Sequence, residues 1–408
     1  MLSLDLINTV SFGGVVLFLG HGVRRLIPPL ARYNVPAPVI GGLLVAVTML
    51  FARSRGLELA TFDTRLQTPF MIAFFTTIGF GASVSLLKVG GPQVLLLLLL
   101  VSVLAVVQNL VGVLIAIPMG MHPLFGVLNG SVTLTGGPAT GLAFAPAFEQ
   151  AGVAGAATVA IAAAMVGIVS GGLVGGPVGT ILIERYRLRR RKGEVHHDPP
   201  IAAQIVEDHL HEPAASAPPG EDKESYALLK ALVVILIAMW VGSGVSAWIN
   251  SAGVTLPAYI GAMIVAAVLR NIDDATGLIG LSQRTIDDLG SVALSLFLVM
   301  ALMTLRLWEL SGLALPMVAI LVVQVALIVA VCWPTFWLMG RDYDAAVMGA
   351  GMCGFMLGTT ANAMANMEAL VDRYGPAPRA FLVVPMVGAF VLDFINAVII
   401  TVFLNLWK

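Results

Sequence analysis

The sequence predicts an all-α polytopic membrane protein built from two inverted five-helix repeats, each with a re-entrant hairpin. Three observations predict this fold. First, the 408 residues are 58% hydrophobic and 11% charged, with a mean hydropathy of +0.95, whereas soluble domains carry about 25% charged residues. Second, most apolar runs are long enough for membrane helices and too long for barrel strands. Third, two glycine-rich polar segments interrupt this apolar pattern, at 129–144 (NGSVTLTGGPATGLAF) and 349–367 (GAGMCGFMLGTTANAMANM).

Ten apolar segments fall into two sets of five. The first set lies near 7–29, 38–52, 68–88, 93–118 and 154–183, and the second near 227–249, 257–269, 288–308, 312–340 and 380–405. Each set has one glycine-rich segment between its fourth and fifth span. We therefore expect an N-terminal repeat at 1–183 with a hairpin at 124–146, a cytoplasmic linker at 184–225, and a C-terminal repeat at 226–408 with a hairpin at 345–367.

An odd number of spans per repeat places the two halves in opposite orientations. Residues at an offset of 220 also match, because Ile40-Gly41 aligns with Ile260-Gly261. With the arginine-rich linker in the cytoplasm, 17 of the 22 lysines and arginines fall inside, as the positive-inside rule requires. Both termini then lie outside. The N-terminus lacks the basic flank and cleavage pattern of a signal peptide, so we expect the first span to be retained.

The glycine-rich segments are the predicted binding site. Lipid cannot hydrogen-bond exposed backbone, so broken segments at membrane depth must be buried in protein or line a wet cavity. Paired breaks in two halves indicate a secondary transporter's site, and free N–H groups at helix N-termini favour a carboxylate. The candidate substrate-binding residues are Thr135, Gly136, Gly137, Thr140, Gly141, Gly358, Thr359, Thr360, Asn362 and Asn366. The alternative is that these small residues serve close helix packing.

Asp393 is the single residue whose position is most informative about function, because it lies near the middle of the last span. A carboxylate at the bilayer centre costs about 2.5–3.5 kcal/mol even on an insertion scale, so it should have a cation or proton partner. Sodium is a hard cation that prefers oxygen ligands. We expect Asp393 to bind sodium with Ser131 and Thr133, the alternative being a structural acid hydrogen-bonded to a neighbouring helix.

Other polar residues within the spans have simpler interpretations. For Gln108 and Gln324 interhelical hydrogen bonds are favoured over ligand contacts. The run at 170–177 (SGGLVGGP) is equally consistent with helix packing and with an approach to a hairpin tip. We interpret Cys332 and Cys353 as small buried residues. Four histidines of the linker belong to a solvated segment, with weak metal binding left open: His196, His197, His209 and His211.

Several function classes lack support in the sequence. The membrane spans contain no Ser/His/Asp, Cys/His or metal constellation, so we do not expect an enzyme. No GxxxxGK[ST] loop occurs, which argues against ATP hydrolysis as the energy source. No basic face beyond the linker suggests a nucleic-acid partner. The solute is therefore expected to follow an ion gradient or to move passively.

The chain resembles the bacterial sodium/glutamate symporters. The resemblance is carried by residues 36–46 (PAPVIGGLLVA), 71–79 (MIAFFTTIG), 295–310 (SLFLVMALMTLRLWEL) and 381–390 (FLVVPMVGAF). It implies a sodium-coupled, homodimeric carrier of the bacterial inner membrane, built of inverted five-span repeats with re-entrant loops and an elevator-like movement. The termini that the positive-inside rule places outside would then be periplasmic. The hairpins depart from the glutamate members' pattern: residues 135–141 read TGGPATG rather than SGGHGTG, and Ala361-Asn362 replace a Pro-Thr pair.

These observations together predict a sodium-coupled symporter that imports glutamate or a closely related anionic amino acid by alternating access. Its partners are sodium, a small anionic solute, membrane lipid and a second copy of the chain. The altered hairpins keep open a sodium-coupled carrier of a dicarboxylate or a neutral amino acid. A channel or a solute-gated sensor is the remaining alternative.

Overall fold

The computed structural model of the protein describes residues 2–57, 59–85, 91–188, 222–253, 256–310 and 312–407. Most of the linker predicted at 184–225, including its four histidines, lies outside these residues. Helices dominate the described chain. Two short strands, β1 (Leu2–Leu4) and β2 (Ala60–Phe62), pair in parallel with Leu2 opposite Ala60.

The described residues of the first half form eight helices. They are α1 (Leu6–Leu26), α2 (Pro28–Arg32), α3 (Ala37–Ser54), α4 (Gln67–Gly81), α5 (Gly91–Ala116), α6 (Pro123–Val127), α7 (Gly137–Gln150) and α8 (Ala156–Arg185). A 3-10 turn at Ile117–Met119 extends α5, and a π-helical turn at Leu128–Val132 follows α6. Asp5 caps α1 by accepting a hydrogen bond from the Asn8 N–H at 2.8 Å, which satisfies one of the free donors of the first turn.

The described residues of the second half also form eight helices. Its helices are α9 (Lys223–Ser251), α10 (Ala258–Thr276), α11 (Gln283–Met303), α12 (Ala314–Leu338), α13 (Tyr343–Leu357), α14 (Thr360–Tyr374), α15 (Pro378–Met386) and α16 (Leu392–Leu406). A 3-10 turn at Leu307–Leu310 follows α11, and a π-helical turn at Val387–Val391 joins α15 to α16. Asp342 caps α13 through the Ala345 N–H at 2.9 Å.

The helices pack as two groups. One, the six-helix group, consists of α1, α3, α4, α9, α10 and α11; the other, the broken-helix group, consists of α5–α8 and α12–α16. Glycines bring helices of the six-helix group together: a Cβ on Gly41 would lie 2.1 Å from the Val16 carbonyl oxygen, and one on Gly242 would lie 2.2 Å from the Ala262 Cα. Each half gives its first three spans to the six-helix group and its remaining elements to the broken-helix group.

The structure confirms an all-α chain with several spans. Seven helices of the described residues are long and apolar enough to cross a membrane, namely Leu6–Leu26, Ala37–Ser54, Gly91–Met119, Ala156–Arg185, Lys223–Ser251, Gln283–Met303 and Ala314–Leu338. Two helix pairs occupy the glycine-rich segments. Helices α13 and α14 lie directly against each other, since a Cβ on Gly354 would lie 2.5 Å from the Ala363 Cα. The membrane depth of these pairs and their inverted relation stay predictions.

Two predicted spans differ from the observed helices. The third span was expected at 68–88, yet α4 ends at Gly81, because Asn271 holds the following turn. Its Nδ2 donates to the Ala82 carbonyl oxygen at 2.9 Å, and its Oδ1 accepts from the Val84 N–H at 2.9 Å. The last span is interrupted by the π-helical turn at Val387–Val391. Such turns add a residue to the helix and often occur at functional sites.

Candidate functional site

A cavity of about 420 Å³ lies where the six-helix and broken-helix groups meet. This volume suits a small organic solute, since ligand pockets measure roughly 300–1,000 Å³. Both breaks in the glycine-rich segments line it, as does the start of α16. Its lining residues are His21, Arg24, Pro36, Ala37, Pro38, Phe74, Thr135, Gly136, Gly137, Pro138, Ala139, Ser291, Leu294, Ser295, Leu298, Phe355, Gly358, Thr359, Thr360, Gly388, Leu392 and Asp393.

The first break separates the π-helical turn from α7. Gly137 has φ +66°, and it lies beside the second break, where a Cβ on it would meet the Gly358 carbonyl oxygen at an ordinary contact distance of 3.6 Å. A residue with a Cβ adopts this left-handed conformation at a cost of about 1–2 kcal/mol. Thr135 donates its hydroxyl to Gln108 Oε1 at 2.8 Å. The left-handed conformation therefore favours glycine at position 137, while Gln108 fixes the approach to α7.

The second break consists of Gly358 and Thr359. Gly358 has φ −156° and ψ −93°, which ends α13, and Thr359 is extended. The Thr359 hydroxyl caps α14 by accepting a hydrogen bond from the Asn362 N–H at 3.3 Å. Helices α7 and α14 thus both begin at the cavity. Their free N–H groups and positive dipole ends give the cavity two sites that favour carboxylate oxygens.

Asp393 lies in the first turn of α16 and is partly exposed in the cavity. Its carboxylate makes no hydrogen bond or ion pair with any residue that the structure describes. A carboxylate shielded from water is costly without a partner. The observed geometry therefore favours a cation or proton partner over the structural acid, hydrogen-bonded to a neighbouring helix, that the sequence left open.

Six predicted site residues lie behind the cavity lining instead of in it: Ser131, Thr133, Thr140, Gly141, Asn362 and Asn366. Asn362 and Asn366 are buried and hold α14 against α8, because their Nδ2 groups donate to the Ile168 and Gly171 carbonyl oxygens at 2.8 and 2.9 Å. Gly141 allows α7 to approach α8, since a Cβ there would lie 2.9 Å from Ala160 Cβ. The structure thus gives these residues packing and hydrogen-bonding roles, and direct ligand contact by them stays a prediction.

Ser131 is the centre of a buried polar cluster. Its N–H donates to Asn109 Oδ1 at 2.9 Å, and its carbonyl oxygen accepts from Asn396 Nδ2 at 3.0 Å. The Ser131 hydroxyl oxygen, Asn396 Oδ1 and Asn129 Oδ1 are buried and have no hydrogen-bond partner within the described chain, and the Asn109 Nδ2 donor is likewise unpaired. Buried polar atoms are normally paired, so this cluster could hold a water molecule or a cation that prefers oxygen. Thr133 uses its hydroxyl to donate to the Leu128 carbonyl oxygen at 2.8 Å.

The favoured interpretation of Gln108 and Gln324 is confirmed. Gln324 Nε2 donates to the Gln108 carbonyl oxygen at 2.6 Å, and Gln108 Nε2 donates to the Met356 carbonyl oxygen at 3.2 Å. These bonds join α12 to α5, and α5 to the end of α13. Both cysteines are buried and free, as expected.

Sequence reasoning missed the part of the cavity that comes from the six-helix group. His21 and Arg24 of α1 line the cavity, as do Ser291 and Ser295 of α11. His21 and Arg24 are three residues apart and so share one face of α1. A cation and an imidazole on one face near the end of an apolar span were the signal that could have found them.

Comparison with known proteins gives a consistent result. The family model for sodium/glutamate symporters matches residues 2–376. Two relatives named sodium/glutamate symporter, from Escherichia coli strain K12 and from Shigella flexneri, are each 41% identical over 411 aligned positions that cover 100% of this chain and 99% of the relative. A third, from Haemophilus influenzae, is 38% identical and covers 97% of this chain and 96% of its own length. The similarity to these relatives thus extends past residue 376 and includes α16.

Proposed function

This chain belongs to the sodium/glutamate symporter family, and from that premise we propose that it imports glutamate or a closely related anionic amino acid together with sodium. The observation that carries the proposal is the cavity itself. It brings the start of α7, the start of α14 and the unpaired Asp393 together between two groups of helices. The names of the relatives describe transport by symport and no enzymatic reaction.

The substrate carboxylates would bind at the two helix N-termini. Gly136 and Gly137 expose backbone on one side, and Thr359 and Thr360 add hydroxyls on the other. Backbone N–H groups at a helix start offer an anion both hydrogen bonds and a favourable dipole. Thr140 and Asn362, which lie outside the cavity lining, would stabilise the same site.

Sodium would bind beside α16. The Asp393 carboxylate would supply the negative charge, and the unpaired Ser131 hydroxyl and Asn396 Oδ1 are neutral oxygens of the kind that a hard cation prefers. The Thr133 hydroxyl donates its hydrogen to the Leu128 carbonyl oxygen, which leaves its oxygen lone pairs available to the ion. Binding sodium and an anionic solute together lowers the net charge that must cross the membrane.

The division into two groups of helices supports an elevator-like mechanism. The substrate-binding breaks and Asp393 all belong to the broken-helix group, so a rigid-body movement of that group would carry the site past the six-helix group. We propose inverted repeats with re-entrant hairpins as the origin of this arrangement. A homodimer, an inner-membrane location and periplasmic termini complete the proposal, the last from the distribution of positive charge.

The test is uptake of labelled glutamate by the purified full-length chain in liposomes. We expect accumulation above the external concentration when sodium is supplied outside, and none when potassium replaces it. Competition by aspartate, malate and glutamine would report whether a dicarboxylate or a neutral amino acid is the better solute. Conduction without saturation would favour a channel, and sodium-independent uptake would overturn the proposal.

A further inference from the structure

We propose that Arg24 selects the charge of the solute, so that the cavity accepts a molecule with one net negative charge in the presence of sodium. The inference rests on the proposed function and deepens it. It concerns a residue of the six-helix group, whereas the predicted substrate and sodium ligands all belong to the broken-helix group.

Arg24 is a cation without a partner. It lies in the last turn of α1, is only partly exposed and lines the cavity. Its guanidinium makes no hydrogen bond or ion pair with any residue that the structure describes. Charged groups removed from water are normally paired. The planar fork of donors on arginine matches a carboxylate in two parallel hydrogen bonds, so an anionic solute is the partner that this position favours.

The ionisable side chains around the cavity give a simple charge count. They are Arg24, Asp393 and His21. Sodium would neutralise Asp393, and the guanidinium of Arg24 then leaves one positive charge. Glutamate, with two carboxylates and one ammonium, has a net charge of −1 and completes the balance. Glutamine, which has no net charge, would leave one positive charge uncompensated, and a dianion such as malate would add an uncompensated negative charge.

The chain contains a matched control beside Arg24. Arg25 follows it directly on the same helix, but it is exposed and does not line the cavity. A replacement of Arg25 removes the same charge from the same end of α1. Any difference between Arg24 and Arg25 variants therefore reports the position of Arg24 in the cavity, not the general charge of this end of the helix.

The experiment compares wild type, Arg24→Gln, Arg24→Lys and Arg25→Gln in sodium-driven uptake of labelled glutamate by liposomes, with unlabelled glutamine and malate as competitors. A hydrogen bond to a charged group contributes enough to binding that its loss should raise the half-saturating glutamate concentration at least about tenfold in Arg24→Gln. In the same variant, the concentration of unlabelled glutamine that halves the uptake of labelled glutamate should fall toward the concentration of unlabelled glutamate that does so. Arg24→Lys should keep the preference for glutamate over glutamine, and Arg25→Gln should resemble wild type.

The outcomes separate the inference from the proposed function. If wild type shows no sodium-driven glutamate uptake, the proposed function fails and the inference fails with it. If wild type transports glutamate and Arg24→Gln discriminates against glutamine as strongly as Arg25→Gln does, only the inference is overturned. If Arg24→Gln does not assemble, Arg24→Lys decides: loss of discrimination despite a retained positive charge would overturn charge selection.

Discussion

A side-chain hydrogen bond connects the loop before α3 with the first turn of α14, and its removal should change the balance between conformations. Asn34 Nδ2 donates to Asn362 Oδ1 at 3.0 Å, while Asn362 Nδ2 donates to the Ile168 carbonyl oxygen at 2.8 Å. Asn34 precedes a helix of the six-helix group, and the other two residues belong to the broken-helix group. A relative movement of the groups must therefore break the Asn34 bond.

The appropriate substitution is Asn34→Gly. Asn34 has φ +54°, so alanine would add left-handed strain to the loss of the amide, whereas glycine tolerates this conformation. A net hydrogen bond contributes about 0.5–1.5 kcal/mol. The population of the observed arrangement, relative to an arrangement in which the groups have moved and the Asn34 bond is broken, should then fall by about two- to tenfold.

Distances between spin labels on the two groups measure this population directly. Exposed Asp288 of α11, which does not line the cavity, and exposed Glu368 of α14 are suitable labelling positions. Arg187→Gly is the matched control, because Arg187 is exposed and has φ +47°. Wild type should show two populations of distances. If Asn34→Gly, like Arg187→Gly, leaves the ratio of these populations unchanged, the role assigned to the Asn34 bond is wrong.

Two further substitutions test the cavity. Asp393→Asn should abolish the sodium dependence of glutamate uptake while leaving assembly intact, because an amide cannot neutralise the ion; Asp372→Asn, at an exposed position of α14, should behave as wild type. Sodium dependence that survives in Asp393→Asn would reject the proposed ligand. Gly137→Ala should reduce the maximal uptake rate, because about 1–2 kcal/mol of left-handed strain would fall on the first break. Gly152→Ala places similar strain (φ +100°) in a loop with open space around it, and an equal loss of uptake in both variants would show that the break has no special role.

Much of the fold was predictable because its signals are local. Long apolar runs predict the spans, and the many glycines and threonines around Gly137 and Gly358 predict the breaks. The end of α4 was not predictable, because it depends on Asn271, a residue nearly 190 positions further along the chain. The π-helical turn before α16 has no distinctive sequence of its own.

The candidate site was predicted only in part, since sequence proximity to a break does not fix the direction of a side chain. Thr359 and Thr360 face the cavity, whereas Asn362 and Asn366, one helical turn apart, face α8. That difference depends on where α14 begins, which the sequence left uncertain by more than one residue. Arg24 was missed because only the packing of the two groups brings α1 beside the breaks.

The central claim is that glutamate binds with sodium in the cavity between the two groups, and protection of a cysteine in its wall tests this most directly. Ala139 lines the cavity at the start of α7 and is partly exposed, and both native cysteines are buried. The account predicts that glutamate with sodium slows maleimide labelling of Ala139→Cys, and that replacing sodium by choline removes the protection. Labelling at the same rate with and without glutamate and sodium would contradict it.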